Sequence, residues 1–234
     1  MANRIRTALI VSIALLLTSL TGCARTLHGV ELYQSAQQQF LSTATTMHRV
    51  LMAIHPGDWT VPTGGYGAVP IACSRGWSGD FGYMFSYRRD VDVDISDAAA
   101  LQERATEAFA RAGLESSSPV YGTGQGAEWN VIAEDASIGR LVVTVIPSAG
   151  RVEVSADSPC VAGDAGELRS MIIEDDTVTT WRSLPAFEGP TSVPLFYFPA
   201  DGPLYFREDG TPIEPQPVVT VAPVSPWSTP GPTP

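Results

Sequence analysis

Thirteen of the chain's 19 prolines fall between Pro185 and Pro234, and this crowding restricts what can fold more than any other feature. Proline removes a backbone donor and clashes inside helices, so such a stretch supplies neither a helix nor an interior strand. The expected folded body is therefore residues 23–184. An aromatic, turn-rich extension follows over 185–214, then a Pro-rich tail over 215–234 that is expected to be disordered. One domain plus appendages suits a chain of 234 residues.

At the other end, Arg4 and Arg6 precede the apolar run Ala8–Leu17, which has signal-peptide length and falls short of the roughly 20 residues a spanning helix wants. Leu20-Thr21-Gly22-Cys23 comes next, an aliphatic residue, two small ones and a cysteine. This pattern resembles the lipobox of bacterial lipoproteins. The resemblance implies that residues 1–22 are a signal peptide and that Cys23 is acylated by diacylglyceryl and palmitate-type chains. It also implies that the mature protein is held on the extracytoplasmic face of the cell membrane. An uncleaved anchor helix with an incidental cysteine is the other reading of these residues.

The formal net charge is −11 and becomes −13 once Arg4 and Arg6 are removed, leaving 12 basic against 25 acidic residues. Nucleic acid is excluded as a partner on this balance, because phosphate binding needs a basic patch. Attachment to a bilayer must likewise be hydrophobic, and two or more acyl chains at about 0.8 kcal/mol per buried CH₂ are sufficient for it. With Cys23 acylated, only Cys73 and Cys160 remain. An even pair in an exported domain is most simply a disulfide, with two free thiols as the alternative.

Apolar residues recur at three-and-four spacing from Glu31 to Ile54, predicting an amphipathic helix closed by Pro56 and Gly57. "FGYMFSYRRDVDVDIS" predicts one long strand or two short ones, and "SDAAALQERATEAFARAG" a second helix capped by Ser96 or Asp97 and stopped at Gly113. "EWNVIAED", "RLVVTVIP" and "RVEVSADS" follow with short turns between them, the pattern of an antiparallel meander. The expected fold is α+β: a two-layer sandwich of about four antiparallel strands with two helices on one face. After Cys160, "AGELRSMII" predicts a short helix near Glu167–Ile173, and Leu195–Phe206 is apolar enough to pack on the body.

Four features resemble small actinobacterial lipoproteins of the LppA-like kind: the lipobox at Cys23, the Trp-containing loop before the first strand, the helix ending "FARAGL", and the strand ending "SADSPC". The resemblance spans about residues 23–160 and implies a fold and a location, without a site.

The chain offers little chemistry. His28, His48 and His55 lack metal-pair spacing, and "GWSGD" around Ser78 has Asp80 where a nucleophile elbow needs glycine. Asp90, Asp92 and Asp94 occupy the first, third and fifth places of a calcium loop, but Ile95 and Leu101 stand where glycine and glutamate belong. Strand alternation accounts for them, with Val91, Val93 and Ile95 inward and a weak surface calcium site as the remainder. Gly122, Gly124 and Gly126 precede a strand rather than a helix, so no phosphate cradle is expected. Trp227 in the tail reads as a chance residue, with a docking point as the alternative.

No cofactor is implied and no catalytic residue is assigned. The leading expectation is a non-enzymatic module that binds an envelope protein, a lipid or a wall component. The alternatives are an envelope hydrolase or transferase using Asp80, Asp90 or Glu128, which needs a buried carboxyl of raised pKa, and a carrier of an apolar ligand, which needs an enclosed cavity.

Overall fold

The structure is a computed structural model that describes residues 26–75, 80–173 and 184–198. Cys23, Ser78, Trp227, the signal segment, the side chain of Asp80 and everything beyond Phe198 lie outside the described residues.

Among the described residues, three helices and ten strands make an α+β fold. Helix α1 is Gly29–Ile54, α2 is Ala98–Arg111 and α3 is Ala165–Ile172. The strands are β1 (Trp59–Thr60), β2 (Pro70–Arg75), β3 (Asp80–Asp92), β4 (Ser116–Ser117), β5 (Val120–Tyr121), β6 (Glu128–Asp135), β7 (Gly139–Ile146), β8 (Arg151–Asp157), β9 (Val161–Ala162) and β10 (Phe187–Glu188). The central path is β10-β1-β3-β8-β7-β6-β4, and every pairing is antiparallel. One sequence-based expectation is corrected here: ten strands replace about four, while the third helix is the short one expected after Cys160. Five of the additional strands have two residues each, too few to show the alternation by which a strand is read. The sixth, β2, carries Gly-rich and Pro-rich neighbours that mark it as loop.

Strand β3 organises the sheet. Its 13 residues carry β8 and then β9 along one edge, and β1 and β2 along the other. Tyr83, Phe85, Tyr87, Arg89 and Val91 are all buried, while Ser86, Arg88 and Asp92 between them are exposed. This is the period-two alternation of a sheet with one covered face. Leu141, Val143 and Val145 of β7 and Val152, Val154 and Ala156 of β8 extend the covered face.

Helix α1 lies on it with Leu32, Ala36, Phe40, Met47, Leu51 and Ile54 buried, as its spacing predicts. Asp97 is the cap of α2, accepting from the Ala100 amide at 3.0 Å, and Gly113 ends that helix with φ +80°. Residues 185–198, assigned from sequence to the extension, lie against the body, as expected from Leu195 onward. Strand β10 pairs with β1, and Leu195, Phe196, Tyr197 and Phe198 are buried. Phe196 closes an aromatic layer with Tyr33 and Phe40, their ring centroids 5.2 and 6.0 Å away.

The sulfurs of Cys73 and Cys160 lie at disulfide distance, with Cα atoms 6.0 Å apart and a sequence separation of 87. Gly82 of β3 pairs with Cys73 on one side and Ala162 on the other, so the two sulfurs meet over it. A Cβ at Gly82 would come within 2.9 Å of Cys160 Sγ and closer still to the Val161 carbonyl.

Candidate functional site

Both α1 and β3 run the length of the domain and in the same sense. At 1.5 Å per residue the helix is roughly 39 Å long, and 13 extended residues cover about 42 Å. The domain thus has two poles, and its polar groups divide between them.

The first pole holds the start of the described chain. Leu27 forms a parallel bridge with Gly163, and the first turn of α1 is capped by a side chain from another helix. Glu167 Oε1 accepts from the Gly29 amide at 2.8 Å, while its Oε2 lies 2.8 Å from His28 Nδ1. The Gly29 hydrogen bond, reinforced by His28, holds the Glu167 carboxyl below the usual range. His28 is therefore part of a cap.

The second pole holds a cleft of about 350 Å³ between the end of α1, the end of β3 and the start of α2. Ile54, His55, Val93, Asp94, Asp97 and Arg104 are among its lining residues. Arg104 Nη1 donates to the Ile54 carbonyl at 3.3 Å, placing a cation at the C-terminal end of α1, where the helix dipole favours one. The Asp97 carboxylate is engaged in its cap, and the His55 ring meets Trp59 edge-on at 6.2 Å between centroids. An imidazole, a guanidinium and two carboxylates around an open cleft suit hydrogen bonding to a polar ligand.

Between the poles, nearer the second, lies a buried ionic cluster. Arg89 is 1% exposed and Glu188, from β10, 5%. Arg89 Nε donates to Glu188 Oε2 at 2.7 Å, and its Nη1 donates to the carbonyls of Gly65 at 3.0 Å and Arg88 at 2.7 Å. The Tyr87 hydroxyl donates to the same Oε2 at 2.5 Å, and His48 Nδ1 lies 2.8 Å from Oε1. The guanidinium also stacks over the Tyr87 ring, 3.9 Å from its centroid.

Burial alone would raise the Glu188 pKa. The hydrogen bond with His48, the Arg89 charge and the hydrogen bonds from Tyr87 and Arg89 outweigh it, so the carboxyl sits below the usual range. Burial also pushes the Tyr66 and Tyr87 phenols well above theirs, and both stay protonated. The Tyr66 hydroxyl donates to the Val193 carbonyl at 2.7 Å. An ionised acid with all its neighbours committed is a structural tie between β3, α1 and the C-terminal segment.

Few of the residues singled out from sequence come together. Asp90 and Asp92 lie on the open face of the sheet beside Arg151, at 4.0 and 2.9 Å, and Asp94 lines the cleft. Among the described residues no group of three or more His, Cys, Asp or Glu could hold a metal ion. Glu128 is exposed at the start of β6, three strands from Asp90 in β3, so these two make no carboxylate pair. Gly122 and Gly124 take positive φ in a turn ahead of β6, and Gly126 closes that turn.

No family model matches the chain, and no curated protein does. A crystal structure of a DUF4853 family protein from Actinomyces odontolyticus aligns over 58% of this chain and 70% of its own, at 17% identity and a TM-score of 0.37. A likeness at that level carries no argument about fold or function.

The buried cluster went unnoticed in the sequence, although a signal for it exists. If Val91 and Val93 face inward, then so must Arg89 and Tyr87, two and four residues earlier. An arginine at an inward position requires a buried acid. What the pattern lacks is the acid's address, 99 residues away in a Pro-rich segment.

Proposed function

We propose that the chain is a lipid-anchored extracytoplasmic envelope protein, a non-enzymatic module that carries a polar binding cleft on the pole away from the membrane. The observation that carries this reading is the course of α1. Its first turn is tied down within six residues of Cys23, and its last residue, Ile54, lines the cleft roughly 39 Å away. Acylation at Cys23 would hold the first pole at the bilayer and leave the cleft free for an envelope protein or wall component. Export would also oxidise Cys73 and Cys160.

The hydrolase reading draws no support from Glu188. A general acid needs a raised pKa, and the shift at this buried carboxyl runs the other way. The apolar-carrier reading needs room between helix and sheet, where Phe40, Phe85 and Phe196 pack edge-on and tilted against one another.

The test is mass spectrometry of the mature N-terminal peptide with palmitate labelling, set beside membrane partitioning of Cys23→Ala. Wild type should carry acyl chains at Cys23, and the variant should become soluble or accumulate as precursor. A variant that is cleaved normally and still sediments with membranes would remove the anchor. For the cleft, Arg104→Glu is compared with wild type in pull-downs from envelope and wall extracts. Unchanged retention of every wild-type ligand would move the binding site elsewhere.

A further inference from the structure

The first pole exposes an aromatic side chain beside the point where the anchored N-terminus enters the domain. Phe81, at the start of β3, is 78% exposed, and Val30 in the first turn of α1 is 37% exposed. Register fixes how close Phe81 is to the chain start. β3 and β9 pair Tyr83 with Val161 and Gly82 with Ala162, and Phe81 and Gly163 are the residues that next follow the end of that ladder. Gly163 in turn bridges Leu27. Two strand spacings, about 10 Å, separate Phe81 from Leu27. Four further residues, at most about 14 Å of chain, lead from Leu27 back to Cys23.

We infer that Phe81 is a second membrane contact: its ring enters the lipid interface next to the acylated Cys23 and fixes the tilt of the domain. This rests on the anchored reading and adds an orientation to it. A lone acylated terminus is a swivel, because the linker between lipid and domain leaves rotation free. Tethering brings Phe81 to a high effective concentration at the interface, where even a weak apolar contact is populated. The contact has to be apolar, since a mature chain of charge −13 gains nothing from anionic headgroups. An aromatic ring is suited to that depth of a bilayer. Elsewhere on the described surface, Tyr121 is comparably exposed at 56%, but it belongs to the cleft pole. β5 pairs with the first residues of β6, and from Trp129 the sheet register runs through Val145 and Val152 to Val91 in the cleft wall. It therefore serves as an internal control.

The full mature chain from Cys23 is coupled through that thiol to a maleimide lipid in phosphatidylcholine vesicles, with p-benzoylphenylalanine in place of either Phe81 or Tyr121. After irradiation, peptide–lipid adducts are measured by mass spectrometry. Adduct at position 81 and none above background at 121 is the expected result. No adduct at 81, or equal yields at the two positions, would overturn the contact. Because the coupling is chemical, the outcome does not depend on whether cells acylate Cys23, which the palmitate labelling reads separately.

Discussion

The two poles are held together by different kinds of interaction. The first has the Cys73–Cys160 pair, a half-exposed carboxylate cap and a strand bridge. The second has the Arg89–Glu188 cluster beneath it and a cleft lined by exposed charges. Covalent closure tolerates changes of pH and responds to reductant, whereas a buried ion pair behaves the other way round. One domain thus has a redox-sensitive half and an acid-sensitive half, which separate experiments can pull apart.

The largest effect should come from reduction, or from Cys73→Ala with Cys160→Ala. Opening a loop of 87 residues costs about 4 to 5 kcal/mol in the chain-entropy model, read as a loss of unfolding free energy in urea. Hydrogen exchange should place the new openings in β2, β9 and the start of α1. Equal loosening of β1 and β10 would mean that the two halves are not separable.

Glu188→Ala should cost about 3 to 5 kcal/mol, because it leaves the Arg89 guanidinium buried without its partner. Its openings should appear in β1, β10 and residues 195–198. If Glu188→Ala melts with wild type, the cluster is not the tie described above.

Acid should reproduce that substitution. Glu188 has a lower pKa folded than unfolded, so its stabilisation is fully present above the unfolded value of about 4.3. It is lost as pH falls through the depressed folded value. A urea midpoint followed from pH 6 down to pH 2 should therefore decline below about pH 4, and Glu188→Gln should decline less steeply. Parallel curves would assign the acid limb to other carboxylates.

At the first pole, Glu167→Ala should cost about 1 kcal/mol by removing the cap on the Gly29 amide, with faster exchange confined to the first turn of α1. Smallest of all, deleting residues 216–234 should leave the thermal midpoint unchanged, since that stretch has no charge to pair and too many prolines for regular structure.

Regular periodicity is what made part of this fold legible. Helix α1 and the meander β6–β7–β8 each repeat their pattern over seven or more residues, and both stand where spacing puts them. The two-residue strands have no period to read: β1 and β9 pair along the two edges of the long β3, β4 and β5 along the outer edge of β6, and β10 on β1. Of the site, Asp94 and His55 were in view as candidates, yet nothing local shows that they meet at the end of α1. Arg104 and Glu188 carry no local signal either, for different reasons. Arg104 lies on the polar side of an amphipathic helix like any solvated arginine, and Glu188 stands among prolines that argue against burial.

The length of β3 has a mechanical consequence. If a partner in the cleft is pulled against a held N-terminus, the load runs along α1 and along the parallel strand β3 beneath it. The strand's hydrogen bonds to β8 and β2 lie across that path, so they are strained together in shear instead of opening one after another like a zip. Thirteen residues flanked on both edges make the domain stiff along the axis from the first pole to the cleft.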